Sequence, residues 1–425
     1  MTRKVNVMVF PCGAENASEI HQALRYSVHV NLFGASSVED FGRFRYEQYE
    51  GGLPNIHDDQ FDVRFAELIR TREIEVVFAT HDSVHEYLAA RAAAMGFHLI
   101  NGDVVTARIA RRKSETYQTF ADCDWIPAQF ESIDAVTTWP IVLKPDQGQG
   151  GIGVVVAANM SGAVDTLRTM TEPVIVEHLP GPEISVDCFT DRHRKLTWIG
   201  PRSRDRVRAG IAMRSKPVEL TSQIEAIACT INDRLALRGP WFFQLKCDSG
   251  NHWKLLEISC RVGGAMVSQR ARGVNLPLLA IQDYLGRDIE AMPIPQIGLI
   301  ERSIATRAEL HFHFESVVID LDDTIILNGV ANPIAMAFLY QCVGDGKRIK
   351  LLTRHAFDVL ATLRKSRIAS ELFDEIVQID ASESKANHVA GNAIFVDNHF
   401  PERQEVMRKC GVPVFDVDGL EFMLR

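Results

Sequence analysis

The stretch WPIVLKPDQGQGGIGVVVAAN, residues 139–159, constrains the fold more than any other part of the chain. It reads as strand, lysine, glycine turn, strand. Gly148, Gly150 and Gly153 spell GxGxxG. A dinucleotide fingerprint needs a helix directly after the glycines, because the pyrophosphate rests on that helix N-terminus. Here β-rich VVVAAN follows, and a helical pattern starts only near Ser161. A P-loop fails as well, since its lysine comes after the glycines and Lys144 precedes them. What remains is a hairpin with a tip of Gly148, Gly150, Gly151 and Gly153. Such a tip can lay backbone N–H groups over a polyphosphate, with Lys144 as a point charge for an inner phosphate. A flexible hairpin with an exposed lysine is the plainer alternative.

Upstream, strands alternate with helices. VNVMVFP (5–11), SVHVNLFG (27–34) and REIEVVFATHD (72–82) read as strands, with helices over 14–25 and through HEYLAARAAAMG. That alternation implies a parallel sheet covered on both faces, with ligands beyond the carboxyl ends of its strands. Thr80, His81 and Asp82 sit at such an end, where capping of the next helix is the plainer role for each. From about residue 111, glycine-rich turns separate shorter strands. A proline-punctuated run, AMPIPQIGLIERS (291–303), follows, and a boundary is expected near 314. Beyond it FESVVIDLDDT, RIKLLTR, DEIVQID, NAIFVDN and VPVFDVD alternate with helices as a small parallel α/β domain.

A length of 425 residues suits two to four domains. The net charge of −9 argues against nucleic acid as a bulk partner. No apolar run approaches the roughly 18 residues of a membrane helix, so no membrane partner is expected. The opening MTRKVNVMVFPCG lacks a signal-peptide cleavage pattern, and a cytoplasmic location is expected. None of the eight cysteines forms a CxxC pair, which favours reduced buried thiols over a metal or disulfide framework.

Chemistry-bearing residues cluster after the glycine hairpin. In VIVEHLPGPEISVDCF (174–189), backbone groups around Glu177–Leu179 can read an adenine and Glu183 can accept from a ribose hydroxyl. RSRDRVRAGIAMRS (202–215) gathers five arginines, of which Arg204 and Arg208 are candidates for an anionic substrate. A solvated basic face is the alternative. WFFQLKCDSGNHWKLLEISCRVGGA supplies Gln244, Glu257, Ser259 and Arg261. Residues two apart share one face of a strand, so Glu257, Ser259 and Arg261 are expected to point together, as Mg²⁺ and a transferring phosphoryl group require. A structural ion pair is the alternative for Glu257 and Arg261.

The KPxxGxGGxGV run, the EHLPGPEISVD run, the arginine-rich loop ending AGI and LLEISCRVGGA followed by GVNLPLLA occur in this order. Together they resemble the ATP-grasp family over roughly residues 1–310, especially the large chain of carbamoyl-phosphate synthase and related carboxylate–amine ligases. The resemblance implies mixed α/β and α+β architecture: a Rossmann-like pre-ATP-grasp domain over 1–110 and an ATP-grasp domain over 111–314. Within the latter it implies a lid over about 111–180 and a larger half over about 181–314. It further implies that Lys113 and Lys144 contact ATP phosphates, that Glu177 and Leu179 lie at the adenine and Glu183 at the ribose. Gln244 and Glu257 would serve Mg²⁺, or Mn²⁺ in its place, and Arg261 would stabilise an acyl phosphate. Ser259 stands where members commonly carry a metal-binding Asn, a weaker oxygen donor at that position. Homodimers are common among such ligases.

In SVVIDLDDTIILNG (316–329), Asp320 and Asp322 end a hydrophobic strand, where burial is costly unless a metal or hydrogen bonds compensate. Thr353, Lys385 and Asp397 follow at or near later strand ends. This order resembles the haloacid-dehalogenase-like (HAD) phosphohydrolases over about 315–425. It implies Asp320 as nucleophile, Asp322 as general acid/base, and Thr353 and Lys385 as phosphate holders. Mg²⁺ would sit on Asp320, Asp322 and Asp397. Asn398 replaces a second aspartate. The segment from Thr324 to Thr353 is too short for a cap domain. The chain as a whole thus reads as a bifunctional enzyme. An ATP-dependent amide-forming ligase, taking small-molecule carboxylate and amine substrates, is joined to a phosphatase for a phosphorylated substrate or product. The alternatives are a nucleotide-binding regulatory or scaffold protein without turnover, and a chain in which the phosphatase alone is active.

Overall fold

The computed structural model describes residues 3–148, 150–303 and 312–424. The chain divides into two units, Met1–Ser303 and Ile304–Arg425. The division precedes the boundary near 314 that the sequence suggests. The proline-punctuated run belongs to the first unit because its Ile300 and Glu301 pair with Ser215 and Arg214.

The first unit opens with β1 (Val5–Phe10), α1 (Glu15–Leu24), β2 (Val30–Ala35), β3 (Gln48–Glu50), α2 (Phe61–Thr71), β4 (Val76–Ala79), α3 (Asp82–Ala89), α4 (Ala92–Met95) and β5 (His98–Leu99). The strands form a parallel sheet of order β3-β2-β1-β4-β5. Along β1, Val5, Val7 and Val9 pack with Ile20 and Leu24 on one side, while Met8 and Phe10 pack with Phe61 and Phe65 on the other. Burial on both faces is why this strand reads as a continuous apolar run. Strand order reverses between β1 and β4. At the carboxyl edge there, Thr80 donates to the carbonyl of Pro11 at 2.5 Å.

Next come α5 (Val104–Arg111) and α6 (Lys113–Thr119), followed by a small lid. The lid comprises β6 (Gln129–Phe130), β7 (Ile141–Pro145), β8 (Val155–Ala157), α7 (Met160–Leu167) and β9 (Pro173–Glu177). Its antiparallel sheet runs β6-β9-β7-β8, with Val142 opposite Val156. The lid sheet therefore starts after α6, whose neighbour Phe120 belongs to the core of the larger half.

The larger half holds β10 (Glu183–Thr190), β11 (Leu196–Ser203), β12 (Arg206–Arg208), β13 (Ile211–Ser215), α8 (Ser222–Arg234), β14 (Gly239–Cys247), β15 (Trp253–Ser259), α9 (Val267–Ala271), α10 (Leu276–Tyr284) and β16 (Ile300–Glu301). An antiparallel sheet of order β11-β10-β14-β15 packs Val186, Trp241 and Phe243 against Ile224, Ile227 and Ile231 of α8.

The second unit contains β17 (Ser316–Ile319), β18 (Ile326–Leu327), β19 (Val330–Ala331), α11 (Pro333–Gly344), β20 (Arg348–Thr353), α12 (Val359–Lys365), β21 (Glu375–Gln378), β22 (Ala393–Val396), α13 (Phe400–Cys410) and β23 (Val414–Phe415). Its parallel sheet runs β21-β20-β17-β22-β23, so β17 lies at the centre with a crossover to each side. All eight cysteines are free thiols; five are buried, whereas Cys229 is exposed on the outer face of α8. Among the described residues, no helix is long and apolar enough to cross a membrane.

Candidate active sites

In the first unit a cavity of about 410 Å³ lies between the lid and the larger half. Its apolar walls are Val142, Val154 and Val156 from the lid, Val176 on β9 with Leu179 just after it, and Leu256 on β15. Gly148, Gly150 and Gly151 form one rim, with φ near +66° and +71° at Gly150 and Gly151. The opposite rim is the β12–β13 turn. There a Cβ on Gly210 would fall 2.1 Å from the Cα of Gly150, so the two glycine tips touch. Gly153 differs from the other three. It borders a separate groove behind the hairpin, and its φ of +77° serves the turn itself.

Two lysines reach the cavity. Lys144, at the end of β7, is buried and donates to the hydroxyl of Tyr117 at 2.6 Å. Burial, reinforced by the nearby Lys113 charge and offset in part by Glu257, lowers its pKa to about 7. Lys113 opens α6 and donates to the carbonyls of Pro145 and Asp146 at 3.1 Å each. Burial lowers its pKa also, against the pull of Glu257 and Asp146. Tyr117 was not anticipated. It lies four residues after Lys113, which places both on one helical face, and that spacing was the available signal. The exposed-lysine alternative is overturned: Lys144 is buried on the face of β7 opposite Leu143, the face on which Val142 lines the cavity.

Gln244 and Glu257 face each other across β14 and β15 and both line the cavity. Burial raises the Glu257 carboxyl above its ordinary value, and Lys113 only partly compensates. A half-buried carboxylate and an amide oxygen beside the cavity fit a divalent cation carried in on phosphate oxygens. Among the described residues, no three His, Cys, Asp or Glu side chains converge on one point, so the donor set depends on Gln244 and on the ligand. Glu183 lines the cavity but is already paired with Arg204, 2.6 Å away. The Glu177 carboxylate accepts from the backbone N–H of Ala128 at 2.8 Å, leaving its main chain at the cavity.

Three expectations need correction. Ser259 gives its proton to Asp82 at 2.8 Å instead of facing the Glu257 side of the cavity alone. Arg261 lies beyond the end of β15 and forks onto the same Asp82, at 3.0 and 2.8 Å. Burial would raise Asp82, but the Arg261 charge and hydrogen bonds outweigh it and hold the carboxyl at about 2. Thus the structural ion pair for Arg261 exists, with Asp82 rather than Glu257 as partner. Asp82, Ser259 and Glu257 nonetheless border one recess that joins the cavity at Lys113 and Gly148. Arg204 lines the cavity, whereas Arg208 is exposed and does not. β12 carries only three residues at the edge of its sheet and leaves the Arg208 side chain in solvent.

In the second unit, Asp320, Thr353 and Asp397 stand at the carboxyl ends of three adjacent parallel strands, in register through Ile319, Leu351 and Val396. Lys385 opens a short 3₁₀ turn and reaches both aspartates, 2.6 Å from Asp320 Oδ1 and 2.7 Å from Asp397 Oδ2. Burial lifts the Asp320 pKa to about 6, with Lys385 pulling down and Asp397 pushing up. Burial works against the Lys385 charge, but the two carboxylates outweigh it and raise its pKa. Thr353 is fully buried and its hydroxyl accepts from the backbone N–H of His355 at 3.1 Å. Asp322 is not in this cluster. Its carboxylate is half exposed and meets His355 Nδ1 at 2.9 Å. Asn398 donates its backbone N–H to the Thr324 hydroxyl at 3.1 Å, and its side-chain oxygen accepts from that hydroxyl at 3.3 Å.

Comparison with known proteins bears on the first unit. Residues 169–306 match the family described as ATP-grasp in the biosynthetic pathway with Ter operon. No curated protein sequence matches the chain. Among solved structures, it resembles the ADP complex of N5-carboxyaminoimidazole synthetase from Staphylococcus aureus. The TM-score is 0.58 at 13% identity, covering 69% of this chain and 81% of that one. It resembles the L-amino acid ligase of Bacillus licheniformis with a TM-score of 0.54 at 18% identity, over 69% and 78% of the two chains. The biotin carboxylase domain of Hydrogenobacter thermophilus 2-oxoglutarate carboxylase, solved with MgADP, ADP and bicarbonate, gives 0.57 at 12%, over 68% and 71%. Over about two thirds of its length this chain therefore has an ATP-grasp fold, and the family match supports an ATP-grasp assignment.

Proposed function

We propose that the first unit is an ATP-dependent carboxylate–amine ligase working through an acyl phosphate. One observation carries this reading: two lysines, a glycine tip and the Gln244–Glu257 pair surround a single cavity with apolar walls. An adenine fits between Val142, Val156 and Leu256. The phosphates lie toward Lys144, Lys113 and the backbone of Gly148–Gly151. A divalent cation held by Gln244 and Glu257 would neutralise phosphate charge. The substrate carboxylate attacks the γ-phosphorus, the bond to the β-bridging oxygen breaks, and ADP leaves. The amine then attacks the acyl carbon, loses a proton and expels phosphate. The chain supplies position and charge rather than a covalent nucleophile. Purified full-length protein with Mg-ATP and a panel of carboxylates and amines should release ADP with at least one pair, and Glu257→Gln should abolish that release. Tight ATP binding with no ADP formed across a broad panel would sink the ligase reading. It would favour a regulatory nucleotide-binding role, which the prior commitment of Ser259 and Arg261 to Asp82 supports.

The second unit fits a Mg²⁺-dependent HAD-like phosphomonoester hydrolase. The carrying observation is the buried Asp320–Lys385–Asp397 cluster at the edge of a parallel sheet. Asp320 attacks phosphorus while the ester oxygen leaves with a proton from Asp322. Water, giving its proton to Asp322, then frees phosphate from the aspartyl ester. The paired carboxylates of Asp320 and Asp397 suit a shared divalent cation, which would orient the phosphate. Hydrolysis of p-nitrophenyl phosphate, lost in Asp320→Asn and retained in Glu257→Gln, tests this half independently.

A further inference from the structure

The segment Arg354–Phe357 follows β20 and belongs to none of the groups assigned above. Its centre is His355. Nδ1 of the ring faces both oxygens of Asp322, at 3.0 and 2.9 Å, and Nε2 faces the Thr362 hydroxyl at 2.7 Å. When Asp322 is ionised its oxygens only accept, so Nδ1 carries the hydrogen, and when Asp322 carries the proton for the leaving group Nδ1–H still donates to its other oxygen. In the neutral ring Nε2 then accepts from Thr362, one turn into α12, which holds this tautomer. The imidazole side chain is almost fully covered, at 9% exposure.

The loop behind the ring is also held. Gln378, the last residue of β21, donates to the carbonyls of His355 and Phe357 at 2.6 and 3.1 Å. Arg354 bonds Glu402 at 2.7 Å and the carbonyl of Glu383. The backbone N–H of His355 donates to Thr353, the expected phosphate holder. Asp322 by contrast is 53% exposed and has no other side-chain hydrogen bond among the described residues. One side of the carboxyl is therefore anchored and the other faces open solvent, where a leaving alcohol must depart.

We propose that His355 is a positioning residue that aims the Asp322 carboxyl at the leaving oxygen, with Thr362 fixing its ring. The inference rests on the hydrolase reading of the second unit and adds to it a residue outside the Asp320 cluster. It makes a prediction about leaving groups. An alkoxide needs a proton as the P–O bond breaks, whereas p-nitrophenolate leaves without one. Misaiming Asp322 thus penalises alkyl esters selectively.

The test compares kcat/KM of the full-length chain with Mg²⁺ on p-nitrophenyl phosphate and on glycerol 2-phosphate. This constant reports the step that expels the alcohol, not the later hydrolysis shared by both substrates. For His355→Ala the loss on the alkyl ester should exceed that on the aryl ester by about ten-fold. His355→Asn, whose amide N–H can replace Nδ1–H, should recover most of that difference. Thr362→Val should show a smaller loss with the same alkyl preference, and keeps the question answerable if the alanine variant does not fold. Equal losses on both substrates would reduce His355 to a structural role and overturn the proposal while the hydrolase reading stands. Wild-type protein that cleaves neither ester would overturn the hydrolase reading itself, and this inference with it.

Discussion

Each unit buries one lysine at its candidate site, and the two behave in opposite ways. Lys144 is 5% exposed and Lys385 is 4% exposed. Burial alone penalises either charge. Lys144 has a phenolic hydroxyl as partner and a second lysine nearby, so its pKa falls to about 7. Lys385 is clamped between two carboxylates, so its pKa rises. The difference lies in the anion. The second unit sets two carboxylates directly on its lysine, whereas Lys144 feels only the nearby Glu257. A desolvated lysine with no carboxylate bonded to it is an unfavourable arrangement that a bound polyanion would relieve.

The largest test of this contrast is Lys385→Met. It strands Asp320 and Asp397 with no cation between them, and loss of one partner from a buried ion pair costs about 3–5 kcal/mol. Urea unfolding followed by hydrogen exchange in residues 316–396 should show that loss, with Lys385→Met/Asp397→Asn recovering part of it. A Lys385→Met protein as resistant to urea as wild type would break the comparison.

Lys144→Met should do the reverse. Removing a lone buried ammonium leaves stability unchanged or slightly higher, while ATP affinity falls by about 30-fold, roughly the 2 kcal/mol of a charge-assisted contact. Calorimetric titration with ATP and urea unfolding of the same sample separate the two effects. If Lys144→Met destabilises as strongly as Lys385→Met, Lys144 is part of the structure rather than part of a binding site.

How much of this contrast was legible in the sequence depended on whether its cause was local. The order of elements was legible, because VNVMVFP and SVVID announce strands buried on both faces and the glycines of 148–153 end β7 in a turn. That β8, not a helix, follows those glycines was readable from VVVAAN. Strand-end positions of Asp320, Thr353 and Asp397 were readable for the same reason. Side-chain pairings across long separations were not. Asp82 reaches Ser259 and Arg261 across 177 and 179 residues, and no periodicity encodes that meeting. His355 carries no signal of its own in the sequence, and only the fold sets it beside Asp322, 33 residues away. The arginines of 202–208 show the limit within one segment. Arg202 is buried on Asp187, Arg204 faces the cavity, and Arg208 is in solvent.

The two lysines also predict opposite responses to pH. Lys144 has a folded pKa below its unfolded value of 10.5, so its penalty on stability grows as pH falls from about 10.5 to 7 and is constant below that. Lys385 is raised, so its contribution is fully present below 10.5 and lost only as pH rises through its higher folded value. Of these two lysines, then, only Lys144 titrates between pH 7 and 9. A polyanion binds its protonated form, and ATP affinity should weaken as pH rises above 7, by up to about ten-fold per unit. Lys144→Met should flatten that dependence. A wild-type affinity that is level from pH 7 to 9 would mean that Lys144 keeps its proton without a ligand.

The smallest expected effect concerns how the first unit closes over its cavity, a feature with no counterpart around Lys385. Gly210, at φ +74°, meets Gly150 so closely that an added Cβ would sit 2.1 Å from its Cα and 2.6 Å from its carbonyl oxygen. Gly210→Ala must therefore part the two tips as well as strain the backbone. Gly151, at φ +71° with nothing within 4 Å of its Cβ position, separates these causes. Each alanine should cost about 1 kcal/mol of stability through the left-handed conformation. Only Gly210→Ala should also weaken ATP binding, by about three-fold, because only it disturbs the contact that, on the proposed reading, would hold the glycine N–H groups over the phosphates. If Gly151→Ala weakens binding as much, the backbone conformation of the tip matters and its contact with the β12–β13 turn does not.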